Sequence, residues 1–343
     1  MTTMLETWLR LTPMDTVAIR DGRPFNAGGD HTFTSIPPRP STVAGALHRL
    51  VSDAGFTRSL RFTGPLAWEG DDADGQPLFP WPLDVVEDAD GDGDLTRLQP
   101  KEIVPGTLDR ADLPESLLVG VGEPLRGSLI DGPSLARYLK ADDDTVEMEA
   151  KADIWLPELH VGLHKGDGRK AADGMLYAAE HRRLRPGTGL LARVQHEESL
   201  KASQGSVSFG GERRVVGVAA VDPAEVPQLP AMPRDFPGGK VKVYLAGPAI
   251  FEHGWRPSLP DGCSLVAAAF DGPEMVSSWG KVDGRFGYVA RNAVIAGSVY
   301  YLKFSDVGNA RQWAHSVHGQ CLPQSSTKLR SAGFGWCFTG RWS

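Results

Sequence analysis

The side chains best equipped for chemistry sit in a few glycine-punctuated stretches. The first is IRDGRPFNAGGDH, residues 19–31, which carries Arg20, Arg23, Phe25, Gly28, Gly29 and His31. Its charge and glycine density predict a loop, because glycine weakens both helix and strand. Guanidinium groups beside glycines suit an anion: a backbone without Cβ approaches closely, and arginine offers a planar fork of donors. Arg39 follows, and Thr42 is the predicted N-cap of a helix, with Pro40 stopping any earlier start. A helix N-terminus beside three arginines makes an anion site. The same residues also fit a turn in which Asp21 and Asp30 satisfy the arginines internally. His31 adds a general base for a ribose 2′-hydroxyl, with His48 or His181 as partner acid. Nothing in the spacing links these histidines, however, and a structural or RNA-contacting histidine is the favoured reading.

The second stretch is GFGWCFTGRW at the end of the chain, with Gly333, Gly335, Trp336, Gly340 and Arg341. Its glycines can bring N–H groups to phosphates, Trp336 can stack a base, and Arg341 can meet a phosphate. A glycine-bulged terminal strand with core aromatics is the other reading. His315, His318 and Cys321 have a spacing that puts three metal ligands near one helix face, but no fourth ligand is apparent. DADGDGDLTRLQ from Asp88 imitates a calcium loop, yet Gln99 stands where a bidentate glutamate is needed. No phosphate-binding P-loop, dinucleotide fingerprint, zinc-protease or serine-hydrolase motif occurs. Neither a metal nor a cofactor is expected.

The elements that must position these groups follow from periodicity. Leu5, Thr7, Leu9 and Leu11 alternate as in a strand. Val43, Leu47, Leu50, Val51 and Ala54 have helix-face spacing, with Gly55 closing it. SLRFTGPLAW and PLFPWPLDVV read as strands, as do KVKVYL, SLVAAAF and GSVYYLKF, and NARQWAHSV reads as a short helix. Strand, glycine loop, helix, strand, strand opens a split β-α-β unit. The expected class is therefore α+β: two ferredoxin-like (RRM-like) units with antiparallel sheets and loop-rich insertions. The expected domains are 1–150 with an acidic insertion near 70–94, a middle basic segment 151–214, and 215–343 with the glycine-rich end.

With 343 residues and 41% hydrophobic content, the chain is long enough for two cores. Forty glycines and 26 prolines favour many short elements over a helical bundle. The net charge of −7 argues against a free-standing nonspecific nucleic-acid binder, but it permits a local basic groove. Lys165, Arg169, Lys170, Arg182, Arg183 and Arg185 supply a basic stretch, with a solvated surface as the simpler alternative. Three cysteines without repeated spacing fit a reducing cytoplasm. No apolar run spans a membrane, and the N-terminus lacks the pattern of a secretory signal.

Six blocks in order resemble one family, the third subunit of the type III-B CRISPR effector complex (Cmr subunit 3), within the RAMP superfamily. They are IRDGRPFNAGGDH with PPRPSTVAGALHRL, HVGLHKGDGRKAADGMLYAAEHRRL, VSFGGERRVVGV, VYLAGPAIFEHGWRP, SSWG with AVIAGSVYYLKF, and GFGWCFTGRW. The resemblance implies paired ferredoxin-like folds and a scaffold with no nuclease of its own. It implies binding of the repeat-derived 5′ tag of the guide RNA (crRNA), and docking to the large polymerase-like subunit and the backbone RAMP subunits. Target RNA is met only indirectly. Carried over, the RNA-contacting loops fall on Arg20 to His31, on Arg169 and Lys170, on Gly210, Gly211, Glu212 and Arg213, and on Gly333, Gly335 and Gly340. The chain departs from the pattern at Ile295-Ala296 and at SSWG, both turn positions. A ribonuclease that processes precursor guide RNA, and a purely architectural subunit, are the rival readings.

Overall fold

The computed structural model describes residues 5–20, 32–53, 60–70, 75–88, 93–102, 116–140, 148–165, 171–196, 204–282 and 285–343. The chain opens with β1 (Leu5–Pro13), β2 (Thr32–Thr34), α1 (Pro40–Asp53) and β3 (Arg61–Glu69). Short strands follow: β4 (Gln76–Pro80), β5 (Val85–Glu87), β6 (Leu95–Arg97), β7 (Gln99–Glu102), β8 (Ser116–Val119), β9 (Glu123–Pro124) and β10 (Leu129–Asp131). Then come α2 (Gly132–Lys140), β11 (Trp155–Lys165), β12 (Ala171–Leu184), β13 (Thr188–His196), β14 (Gly205–Ser208) and β15 (Val215–Ala220). The last part holds β16 (Lys240–Leu245), β17 (Cys263–Ala269), β18 (Pro273–Val282), β19 (Arg285–Val294) and β20 (Val299–Phe304). It ends with α3 (Val307–Val317), α4 (Thr327–Ser331) and β21 (Cys337–Arg341). The chain is mostly β, with antiparallel sheets and a few helices, an α+β composition.

Two compact units share the chain, and neither is continuous in sequence. Unit one takes Met1–Ala73, Ile154–Glu225 and Met275–Arg291. Unit two takes Asp74–Asp153, Val226–Glu274 and Asn292–Ser343. This corrects the expected division at 150 and 214. The reason is strand pairing over long sequence separations: β1 lies between β13 and β15, antiparallel to both. Leu9 faces Ala192 and Leu11 faces Leu190, so one sheet face is a continuous buried aliphatic row. The acidic region near 70–94 is likewise not a simple insertion, since Trp81, Asp84 and Val85 are buried in unit two.

Within unit one the sheet reads β3-β13-β1-β15, with β14 beyond β15. A separate sheet pairs the hairpin β11-β12 with β2. α1 packs against β3 and β14. Its start differs from expectation: the Arg39 carbonyl accepts from Thr42 N (2.9 Å) and Val43 N (3.2 Å), so Arg39 occupies the N-cap position and Pro40 is the first helical residue. Proline lacks only an N–H that is unpaired there anyway, so it begins this helix instead of blocking it. Ala54 and Gly55 lie outside the described residues.

Within unit two the sheet reads β17-β20-β16-β21. With the edge strand β14 set aside, the four remaining strands of that sheet in unit one and the four in unit two both take the spatial order second-third-first-fourth, with antiparallel neighbours. Unit one has its helix after the first strand, and unit two has α3 after the third. Asp306 caps α3 by accepting from Asn309 N. Val241, Val243, Leu245, Tyr300, Leu302, Ala310, Ala314 and Cys337 form one buried cluster in unit two. Beside them Asp84 accepts from Tyr138 Oη (2.7 and 2.8 Å) and Tyr301 Oη (2.6 Å) in a buried polar knot.

Candidate nucleic-acid interface

A junction in unit one gathers the two segments that flank residues 21–31. Val17 bridges Arg182, Ala18 bridges Gly210, and Arg20 bridges Ser35. Ser35 is fully buried; its Oγ accepts from Ile19 N (2.8 Å) and its carbonyl accepts from Arg182 Nε (2.8 Å). Ile36 N donates to Ile19 O (2.9 Å). The buried hydroxyl and carbonyl are thereby satisfied, and the chain on both sides of the glycine loop is pinned at one place.

The GGER turn closes on this junction. Gly211 N donates to Ala18 O (2.6 Å), Phe209 N to Arg214 O (2.8 Å) and Arg214 N to Gly211 O (3.1 Å). Gly210 has φ +78°, and a Cβ there would meet Ala18 O at 2.7 Å, so glycine is required on two counts. Glu212 (φ 52°) and Arg213 (φ 57°) then take the left-handed conformation without being glycine. Two consecutive residues held in that region store local strain, a feature concentrated at ligand-binding sites. Arg213 is exposed and makes no hydrogen bond or ion pair among the described residues.

Beneath the turn lies a charged network. His181 is fully buried, and its Nδ1 contacts Thr16 Oγ1 (2.9 Å) and Arg214 Nη2 (3.1 Å). Arginine can only donate, so Nδ1 accepts and the ring proton sits on Nε2, 3.1 Å from Glu212 Oε2. The His160 ring stacks on His181 with centroids 4.0 Å apart. Burial lowers the His181 pKa, and the neighbouring His160 lowers it further. Arg183 donates through Nε to Glu158 Oε2 and through Nη2 to Asp15 Oδ1 (2.7 Å), and Arg214 Nη1 meets Asp15 Oδ2 at 2.6 Å. Hydrogen bonds from Arg183 hold Asp15 and Glu158 below the usual carboxylate range, and these partners raise Arg183 in turn. Arg183 and Arg214 are therefore braces neutralised by carboxylates, whereas Arg213 is presented.

The structure distributes the sequence-predicted residues unevenly. Arg20 and Arg213 lie on segments of this junction, Arg20 bridging Ser35 and Arg213 in the turn that closes on Ala18. Arg23, Phe25, Gly28, Gly29, His31, Arg169 and Lys170 lie outside the described residues. Arg39 is 8% exposed, and Thr42 is within the first turn of α1 instead of capping it. The carboxylates Asp15, Glu158 and Glu212 that set the charge balance were not singled out as a group. Their separation along the chain hid them, and only the GGER doublet marked the place.

The C-terminal glycine stretch is corrected. Gly333 (φ 103°) and Gly335 (φ 77°) do adopt conformations that favour glycine. Their N–H groups, however, donate inward, Gly333 to Arg330 O (3.1 Å) and Gly335 to Pro248 O (2.8 Å). Trp336 is 2% exposed, packs beside Phe79 and Phe338, and donates through Nε1 to Gly319 O (3.2 Å), so neither ring face is open to a base. Gly340 lies in β21, where a Cβ would meet Leu139 O at 2.7 Å. Arg341 spends its donors on Lys140 O (2.7 Å) and Asp235 Oδ1 (3.0 Å). This stretch is a tight turn leading into the regularly paired core strand β21 of unit two. The metal spacing also dissolves: His318 Nε2 donates to Pro230 O (2.8 Å), its Nδ1 accepts from Thr339 N (3.1 Å), and no cluster of three metal-ligating residues occurs among the described residues. Among those residues no helix is long and apolar enough to cross a membrane.

Fold and site together define an α+β protein in which two antiparallel sheets share one order of their main strands, with an arginine presented from a strained turn. The chain belongs to the CRISPR-associated protein family Cas_Cmr3, whose model matches residues 9–342. A chain in the cryo-EM structure of the type III-B Cmr-beta bound to cognate target RNA is similar: 14% identity, 95% of each chain covered, TM-score 0.47. The same complex with cognate target RNA and AMPPnP, state 1, gives 14% identity over 95% of this chain and 94% of that one, TM-score 0.47. A chain of the Csm3–Csm4 subcomplex from the type III-A CRISPR-Cas interference complex gives 10% identity over 88% and 93%, TM-score 0.34. No curated protein matches.

Proposed function

We propose that this CRISPR-associated protein is a non-catalytic subunit of a type III-B effector complex that holds the single-stranded 5′ tag of the guide RNA. Each unit is read as a ferredoxin-like fold, because the strand order second-third-first-fourth with antiparallel neighbours is what a split β-α-β pair produces. The observation that carries the RNA reading is Arg213, exposed without a carboxylate partner among the described residues, on a turn whose left-handed backbone fixes it in place. A presented guanidinium on the junction that also carries Arg20 suits phosphate oxygens of a single strand. The net charge of −7 fits a subunit that shares its RNA with neighbours and binds weakly alone. Docking to the large polymerase-like subunit and to backbone RAMP subunits in the cytoplasm belongs to the same proposal.

The test is photo-crosslinking of guide RNA in the assembled complex, with adducts mapped by mass spectrometry. Adducts on residues 17–36 or 209–214 are expected, and their loss in Arg213→Glu supports the assignment. A complex whose guide RNA crosslinks nowhere in this subunit refutes it and leaves the architectural reading. Incubation of purified protein with repeat RNA without metal decides the nuclease rival: specific cleavage abolished by His31→Ala would install it.

A further inference from the structure

We infer that Phe270, in unit two, is a stacking platform for one unpaired nucleobase; the inference rests on the RNA reading above and adds a second contact. Phe270 is 39% exposed, directly after β17. A single exposed aromatic is ordinary on any surface; its support is what sets this one apart. The ring stacks on Trp255 with centroids 5.0 Å apart and 25° between planes. The Arg256 guanidinium carbon lies 4.9 Å from the Trp255 ring centroid. Trp255 itself packs against the buried cluster of unit two, and its carbonyl accepts from Tyr300 Oη (2.6 Å). Bridges from Phe251 to Gly254 and from His253 to Arg256 tie down the turn that carries it.

This arrangement fixes an aromatic plane at the surface at little further entropic cost, since the rotamer is already held by stacking. An exposed, oriented π-face accepts any base and stacks it without reading sequence. Two guanidiniums sit on the immediate neighbours of Phe270, one on its stacking partner and one on the next residue along the chain. Arg256 belongs to the stack, and Arg126 Nε pairs with Asp271 Oδ2 (2.8 Å), one residue after Phe270, with the arginine side chain 63% exposed. An exposed pair of this kind is weak and can exchange its carboxylate for a phosphate. An exposed aromatic plane with cations on its two neighbours matches a nucleotide, base on the ring and phosphate at the rim. A neutral aliphatic partner would leave both arginines unused.

The experiment uses full-length protein in its assembled complex, loaded with guide RNA carrying 5-iodouridine at successive positions. An adduct on Phe270 is expected from one position and is retained in Phe270→Tyr. Titration of fluorescent guide RNA onto the complex assembled with each variant should show Phe270→Ala and Phe270→Leu each weakening binding about tenfold. Unchanged affinity in Phe270→Ala overturns the proposal. Normal binding in Phe270→Leu also overturns it, because an apolar contact without a π-face would then suffice. Adducts confined to residues 17–36 and 209–214 would sink this platform while leaving the main RNA reading standing; an absence of adducts anywhere in the subunit would sink both.

Discussion

Replacing Asp84 tests a buried polar knot in unit two. The Asp84 side chain is fully buried and takes hydrogen bonds from two tyrosine hydroxyls, Tyr138 at 2.7 and 2.8 Å and Tyr301 at 2.6 Å. Burial, then the Asp84 charge, raises the Tyr138 pKa well above its ordinary value, so the phenol stays a donor. Lys242 Nζ lies 3.7 Å from the Tyr138 ring centroid, and the Arg97 guanidinium carbon lies 5.0 Å from it. The carboxylate therefore provides negative charge in a region that also buries two cations. Asp84→Ala removes both hydroxyls' acceptor and that charge together, a change that destabilises by about 3–5 kcal/mol. Asp84→Asn keeps one acceptor oxygen and loses the charge-assisted part, about 1–3 kcal/mol. A domain of this size loses roughly 2–4 °C in Tm per kcal/mol, so Asp84→Ala should lower the unit-two transition by about 6–20 °C. Calorimetry supported by near-ultraviolet circular dichroism reads this directly. Equal melting of the alanine and asparagine variants, or a loss below about 1 kcal/mol in the alanine variant, refutes the argument that the knot is held by the carboxylate.

Three further outcomes follow from the same geometry. Arg213→Ala should weaken guide-RNA retention by about 1.5–3 kcal/mol while leaving Tm unchanged, because the exposed side chain makes no hydrogen bond or ion pair among the described residues; filter binding over a salt series checks it, and a fall in Tm instead would mark a structural role. Gly340→Ala should destabilise the fold without altering RNA contacts, since its Cβ would meet the Leu139 backbone at 2.7 and 3.0 Å; chemical denaturation of the variant, set against its crosslinking pattern, separates the two. Burial depresses the pKa of both His181 and His318 in the fold. Below the ordinary histidine value the unfolded chain then binds more protons, so stability is fully present above about pH 6.5 and falls as pH drops beneath it. Urea midpoints from pH 8 to pH 5 should show that decline, and a flat profile in this range would contradict the buried neutral assignment.

Local chemistry in the sequence determined much of this protein. Alternation at Leu5–Leu11 made β1, SLVAAAF and GSVYYLKF made β17 and β20, and NARQWAHSV made most of α3, because side-chain period reflects one buried face. The left-handed needs of Gly210, Gly333 and Gly335 were visible as glycine clusters, since no other residue meets them cheaply. Tertiary structure decided what those clusters serve. Gly210 turns a strained loop toward solvent, whereas Gly333–Trp336 turns inward, and local composition does not distinguish a ring that stacks a ligand from one that stacks Phe79. Unit boundaries were equally invisible, because β1 finds its partners β13 and β15 about 180–210 residues away, where only the closing of a shared core specifies who pairs with whom. The charge balance at His181 needed the same closure: Arg183 and Arg214 meet Asp15 and Glu158, and Glu212 meets His181, only once four distant segments come together, which leaves Arg213 as a presented cation.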